Sequence, residues 1–364
     1  MSPTSNGSST QSERDDFIIG RDDLILVTGA TGFVGSRVVE CLLELGFRNI
    51  RCFTRSSTAG PKRKPVAEGA DPRRVQFIRG NLLSREDCTA ATENVFVVFH
   101  LAAGRGEKFF PDAYMNSVVT TRNLLDACVR QNRVKRFVNV SSFSVYANPK
   151  AAGRTLLDET CPLELHPELR GEAYCFAKAK QDEIVIEYAK KHGLPYVIVR
   201  PGVVYGPGNL AITGRVGIDT FGIFLHLGGS NSIPFTYVEN CAQAIALAGL
   251  QKGIDGEVFN VVDDDLPSSR QFLRLYKRNV KRFTSFYVPH LVSYGFCYLW
   301  ERYSIWSQGQ LPPAFNRRRW RAYWKSTRYS NEKVKSRLGW LPRIPTGDGF
   351  RRYFEACRAG ETNA

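Results

Sequence analysis

From Leu24 onward, short apolar runs alternate with amphipathic segments, and this alternation restricts the chain more than any other feature. Strand-length runs stand at Leu24–Thr28, Ile50–Thr54, Val75–Arg79, Val95–His100, Arg136–Val140, Tyr196–Arg200 and Glu257–Val262. Helical spacing fills Gly32–Leu45, Ser84–Thr92, Tyr114–Gln131, Tyr174–His192 and Glu239–Ala248. Strands separated by helices pair in parallel through crossovers, so the pattern predicts an α/β class: a doubly wound, seven-stranded parallel sheet covered on both faces. Ser84 with Asp87 predicts a capping box, and Gly46 and Gly193 stand where left-handed helix ends favour glycine. Ser56–Arg74 and Asn148–Arg170 read as surface loops. The alternation fails after Pro201 except near Ala242 and Phe259. A sheet domain of 22–200 with 236–262 is therefore expected beside a smaller, mixed C-terminal cap of 201–235 and 263–350, with tails at 1–21 and 351–364.

The first strand runs directly into Thr28-Gly29-Ala30-Thr31-Gly32-Phe33-Val34-Gly35, followed by the apolar stripe Val34, Val38, Leu42, Leu45. Glycines here permit a tight turn and close backbone approach, so a pyrophosphate can sit on the free N–H groups opening a helix. An ordinary strand-turn-helix corner needs no such triplet, and its place after strand one favours a dinucleotide. Where an NAD-selective fold ends strand two with an acid, this chain has Phe53-Thr54-Arg55. Arginine accommodates a 2′-phosphate, so NADP(H) is favoured, with NAD(H) the alternative.

Charge and cysteine usage narrow the surroundings. No run of about 18 uncharged apolar residues occurs, so a spanning helix is not expected. Nine cysteines include no C-x-x-C pair and follow no secretory segment, which points to cytoplasm and to neither disulfides nor metal. The net charge of +15 is uneven: Tyr276–Arg328 holds eleven basic residues against the single acid Glu301, with fourteen of the 43 aromatics. Such a window suits phosphate groups, nucleic acid, an anionic membrane or a solvated face, with nucleic acid the least expected.

Together the motifs resemble the extended short-chain dehydrogenase/reductases, the superfamily of NAD-dependent epimerases and dehydratases with a Rossmann fold. The likeness rests on Thr28–Gly35, Phe99-His100-Leu101-Ala102-Ala103, Asn116, Val140-Ser141-Ser142-Phe143-Ser144-Val145-Tyr146, and Tyr174-x-x-x-Lys178. It continues through Arg200-Pro201-Gly202-Val203-Val204-Tyr205-Gly206-Pro207-Gly208, Tyr237–Ala242 and Leu338-Gly339-Trp340, covering roughly 22–350. Tyr146/Lys150, Tyr174/Lys178 and Tyr329/Lys333 share the Tyr-x-x-x-Lys spacing. Pro149 opposes helical stacking in the first, and the third lies far from any cofactor motif. Tyr174/Lys178 opens a helix and occupies the family's catalytic place.

The resemblance implies that Tyr174 exchanges a proton with a substrate oxygen and that Ser142 hydrogen-bonds that oxygen. It gives Lys178 the nicotinamide ribose and makes it favour the Tyr174 phenolate. Ser144 is the reserve for Ser142. Gly29, Thr31, Gly32, Phe33, Val34 and Gly35 would hold the pyrophosphate, while Asn81-Leu82, in place of the usual Asp-Leu, would border adenine. Leu101, Ala102, Ala103 and Val140 would line the nicotinamide side, Asn116 the ribose, and Pro201 with Val203 the carboxamide. A homodimer through Tyr114–Gln131 and Tyr174–His192 is also implied, with Leu124, Leu125, Val185 and Tyr188 available for it.

The substrate reading divides. Arg200-Pro201-Gly202 and Ser232-Ile233-Pro234-Phe235-Thr236 lack the polar diphosphate contacts of sugar-nucleotide epimerases, and the Pro-Gly form is similar to the 3β-hydroxysteroid dehydrogenase and ketone reductase branch. Hydride transfer between a secondary alcohol and a ketone is the leading expectation; a nucleotide-sugar epimerase or dehydratase with retained cofactor is second. Arg317-Arg318-Arg319-Trp320-Arg321 could supply phosphate contacts from the cap, or 283–328 could contact a membrane peripherally. A catalytically idle NAD(P) sensor or RNA binder is the alternative of another class, and it has no need of an intact Ser142, Tyr174 and Lys178 set.

Overall fold

The structure, a computed structural model, describes residues 17–55, 73–104, 109–148, 155–220, 222–308, 310 and 315–362. The expected strands form, each within two residues of its predicted ends: β1 (Ile25–Thr28), β2 (Ile50–Thr54), β3 (Val75–Arg79), β4 (Val97–His100), β5 (Arg136–Val140), β6 (Tyr196–Pro201) and β7 (Val258–Val261). They pair in parallel in the order β7-β6-β5-β4-β1-β2-β3. The order reverses between β1 and β4, and a doubly wound sheet opens a crevice at the strand ends there.

Helices cover both faces because each turns one apolar stripe inward. α1 (Gly35–Glu44) buries Val38, Val39 and Leu42. α2 (Arg85–Thr92) buries Cys88 and Ala91 on the other face, as α3 (Thr120–Gln131) buries Leu124 and Leu125. α4 (Ala173–His192) joins them there, whereas α5 (Val238–Leu250) packs with α1. The segment before α3 differs from a plain helix: Phe110–Ala113 is α-helical and Tyr114–Val119 widens into a π-turn around Asn116. The Ser84 cap is half made. Its hydroxyl accepts from Asp87 N at 3.0 Å, while the Asp87 carboxylate turns to accept from Asn81 N at 2.7 Å.

The cap is built from α6 (Ser269–Asn279), α7 (His290–Trp306), α8 (Arg317–Trp324) and α10 (Thr346–Thr362), with short paired strands, whereas α9 (Glu332–Leu338), expected in the cap, packs Val334 and Leu338 into the core of the sheet domain beside α5 and β7. Among those strands, Gly217–Thr220 pairs antiparallel with Ile223–His226, and Ser285–Tyr287 adds in parallel.

Three further boundaries need correction. Residues 351–362 are not a tail: α10 buries Tyr353, Phe354 and Cys357, which pack with Tyr205, Phe235 and Phe272 in the aromatic core of the cap. Residues 17–21 are not a free tail either, since Ile18 N donates to Leu250 O at 2.8 Å and Ile19 is buried; residues 1–16 lie outside the described residues. Within the expected loop 148–170, Thr155–Leu157 pairs with Thr327–Tyr329, and Arg170 is buried. Residues 56–72 of the other loop lie outside the described residues.

Candidate active site

All the residues expected to bind cofactor or perform chemistry line a single cleft of about 770 Å³ at the C-terminal ends of the strands. The loop from Gly29 to Gly35 forms one wall. Gly29 has φ +71°, and a Cβ there would come within 2.9 Å of Ala102 N. A Cβ on Gly35 would meet Gly29 O at 2.1 Å, so only glycine lets α1 start this close to the turn. No side chain caps the α1 N-terminus and no acid stands in its first turn; Gly32 N and Ser36 N are taken by Gly29 O and Gly32 O, and the other N–H groups of the terminus are left to an anion. Phe53, Thr54, Arg55, Asn81 and Leu82 line the same cleft from the ends of β2 and β3. Loop, groove and unopposed helix terminus together fit a dinucleotide.

Leu101, Ala102 and Ala103 follow β4 into the cleft, with Asn116 and Thr120 from the π-turn and α3. Under them lies a buried polar chain the sequence reading did not assign. Thr28 Oγ1 lies 2.8 Å from His100 Nδ1, and His100 Nε2 lies 2.9 Å from Thr121 Oγ1. Thr121 donates to Ser117 O at 2.6 Å and accepts from Gln181 Nε2 at 2.7 Å. Because the Thr121 hydrogen is spent on Ser117, His100 carries its proton on Nε2 and accepts from Thr28 at Nδ1. Burial first, then the Lys178 cation, hold His100 down at about 3, so it stays neutral and structural.

Ser142, Tyr174 and Lys178 meet in the cleft beside Val140, Pro201 and Val203. Tyr174 keeps 38% of its surface exposed. Lys178, one helical turn on, is buried and donates Nζ to the Val140 carbonyl at 2.7 Å. Desolvation pulls Lys178 down to about 8, against the opposing pull of Asp182. Ser142 Oγ accepts from Ser144 N at 3.2 Å, which leaves its own hydrogen to donate. The neighbouring serines are distinguished here: Ser141 gives its hydrogen to Asp182 at 2.9 Å, and Ser144 is buried outside the cleft lining. The other Tyr-x-x-x-Lys pairs stand elsewhere. Tyr146 is buried with Arg200 and Asn260, Lys150 lies outside the described residues, and Lys333 is paired with Glu257 at 2.7 Å.

Asp182 fastens this corner. It accepts from Asn139 at 2.8 Å, Ser141 at 2.9 Å and Arg200 Nη2 at 3.1 Å, joining α4, β5 and β6. Arg200 continues to the Tyr146 hydroxyl at 3.1 Å, which donates to Asn260 on β7 at 2.8 Å. The i, i+4 spacing of Lys178 and Asp182 was the one sequence signal for it.

Gly202, Val204, Asn209, Ala211, Ile212, Thr213 and Tyr323 line the same cleft and were not among the expected site residues. Among the described lining residues, only Arg55 and Lys178 carry charge, and both belong to the cofactor side. The arginines that could supply phosphate contacts from the cap lie beside carboxylates: Arg317 with Glu301 at 2.9 Å, Arg318 with Glu164 at 2.6 Å, Arg319 with Glu172 at 3.5 Å. Glu172 also pairs with buried Arg170 at 2.7 Å and accepts from Tyr323 at 2.7 Å, tying the start of α4 to α8. The expected dimer residues Leu124, Leu125 and Val185 are at most 1% exposed in the protomer's own core, so they are not available to a partner.

A Rossmann domain with this loop and cleft defines a nicotinamide-dinucleotide class of protein. The sequence profile of the NAD dependent epimerase/dehydratase family matches residues 25–261, and the chain belongs to that family. It is 27% identical to 3beta-hydroxysteroid-dehydrogenase/decarboxylase isoform 2 of Arabidopsis thaliana over 91% of this chain and 61% of that one. Against the Stigmatella aurantiaca 4-hydroxy-2-methyl-3-oxo-4-farnesyl-3,4-dihydroquinoline-1-oxide ketoreductase, identity is 30% over 68% of this chain and 71% of that one. The fold matches the Bacillus cereus UDP-glucuronic acid 4-epimerase in complex with NAD, with TM-score 0.68, 22% identity, and coverage of 92% of this chain and 98% of that one.

Proposed function

We propose that the protein is an NADP(H)-favouring oxidoreductase that interconverts a secondary alcohol and a ketone on a neutral, largely apolar substrate. One observation carries the choice: Val204, Ala211, Ile212, Thr213 and Tyr323 line the cleft and no cation besides Arg55 and Lys178 is among its described lining residues, Arg215 and Arg319 lying against the Tyr323 ring outside that lining. A diphosphate buried there would lack the charge-assisted bonds that offset its desolvation. Arg55 beside Phe53 and Thr54 supports a 2′-phosphate and hence NADP(H). The ketoreductase and hydroxysteroid dehydrogenase names among the relatives agree with this substrate class.

The nicotinamide supplies or takes the hydride. In reduction, the Tyr174 hydroxyl passes its proton to the carbonyl oxygen as negative charge develops, and Ser142 steadies the same oxygen by donating a hydrogen bond. Lys178 remains mostly cationic at neutral pH and favours the Tyr174 phenolate left behind. Oxidation runs the same steps in reverse. An intact set of this kind supports turnover over a role as an idle sensor or RNA binder.

The test supplies stoichiometric reduced NADP with hydrophobic ketones, and oxidised NAD or NADP with UDP-sugars. Loss of reduced cofactor matched by alcohol formation is expected with a ketone. Isomerisation or dehydration of a UDP-sugar without net cofactor change would assign the retained-cofactor chemistry instead.

A further inference from the structure

Helix α7 is inside out. Its inward face carries the buried residues Ser293, Cys297 and Ser304, while Leu291, Val292, Leu299, Ile305 and Trp306 project into solvent with Arg302 among them. Leu291 is 84% exposed and Trp306 76%. Ten of the twenty-one large hydrophobic residues exposed on the described surface lie in 286–306, too concentrated for ordinary surface scatter.

We propose that this face docks on an anionic lipid bilayer, with α7 lying in the plane of the interface. Three observations select that occupant. Between residues 266 and 331 the only acid is Glu301, and Arg317 neutralises it at 2.9 Å, whereas Arg302 on α7 and Arg278, Lys281 and Arg282 in the segment leading to it remain exposed. Apolar residues on the helix, with cations on it and in the segment leading to it, match acyl chains beneath anionic headgroups. A second copy of the same face would set like charges against each other. A nucleic acid would leave the leucine and isoleucine side chains without partners.

The helix has 17 residues, and no helix among the described residues is long and apolar enough to cross a membrane, so it lies on the bilayer. The docked face is coupled to the cleft through α8: Trp320 donates Nε1–H to Ser293 Oγ at 2.9 Å, and Tyr323, nearly one turn later, lines the cleft. A membrane-dissolved ketone would suit this arrangement, but docking itself goes beyond the substrate reading and is measured without cofactor or substrate.

The experiment is flotation of the full chain with phosphatidylcholine vesicles, with and without phosphatidylserine, comparing wild type with a Leu291→Gln, Leu299→Gln double variant. Wild type should float with the phosphatidylserine vesicles and dissociate as salt rises. The double variant should bind at least roughly tenfold more weakly, since each leucine loses its transfer into the apolar layer. Its unfolding midpoint should match wild type because both side chains are already exposed. Absence of wild-type flotation, or equal flotation by the variant, would overturn the proposal. Conversion of a wild-type dimer to monomer by the substitutions would assign the face to a second copy.

Discussion

Replacing Lys178 with methionine separates what this lysine does for chemistry from what it does to stability. Burial pulls its ammonium from 10.5 to about 8, so holding the cation in the fold at neutral pH costs roughly 3 kcal/mol at about 1.4 kcal/mol per pKa unit. Methionine keeps the volume, removes that cost, and deprives the Val140 carbonyl of its 2.7 Å donor at a loss of about 1–3 kcal/mol. The Lys178→Met variant should therefore be as stable as wild type or up to ~2 kcal/mol more stable at pH 7, although turnover is lost. A lowered lysine pKa means that the unfolded chain binds more protons between about 8 and 10.5, so wild-type stability gains from Lys178 as pH rises through that window. Urea unfolding of both cofactor-free proteins across it should show the stability of the variant relative to wild type falling by about 3 kcal/mol. Other groups titrating there do so in both proteins. A difference that stays constant with pH would refute the reasoning.

The remaining expectations concern cofactor, packing and assembly. Arg55→Ala should weaken NADP binding by at least about tenfold and leave NAD affinity nearly unchanged, as measured by calorimetry; unchanged NADP affinity would remove the basis for the cofactor preference. Asp182→Ala strands buried Arg200 and should cost about 3–5 kcal/mol in urea unfolding, with a loss below about 1 kcal/mol counting against the network. The family resemblance implies a homodimer, whose interface must use the outer surfaces of α3 and α4 since their apolar stripes are already buried; light scattering at micromolar concentration should give twice the 40.9 kDa of one chain, and a 40.9 kDa particle would exclude it.

The parts of this fold legible in sequence are those set by local pattern. Strand-length apolar runs, helical stripes and the glycine loop after β1 specify the parallel sheet and the choice of Gly29, Arg55, Ser142, Tyr174 and Lys178, which the structure brings to one cleft; the strand order and its switch point come from the structure. Contacts made by register were not legible. The chain from Asp182 through Arg200 and Tyr146 to Asn260 joins four elements and exists only because β5, β6 and β7 align as they do. Arg317, Arg318 and Arg319 looked free as a cluster because their carboxylate partners at 301, 164 and 172 are distant in sequence or hidden on another element. The C-terminal helix was missed although Phe350, Tyr353, Phe354 and Cys357 have i, i+3, i+4, i+7 spacing. Nothing local to that spacing tells a tail from a helix whose stripe is met by Tyr205 and Phe235.

The most direct measurement of the central claim is single-turnover reduction of an active ketone by wild type and Tyr174→Phe, with cofactor affinity determined on both. The substitution removes one hydroxyl from a residue that lines the cleft beside Lys178 and Ser142 and leaves the glycine loop in place. Turnover should fall about 10²–10⁴-fold, with cofactor affinity changing less than about twofold. Tyr174→Phe turning over at the wild-type rate would contradict the assignment of proton transfer to Tyr174 and, with it, this account of the site.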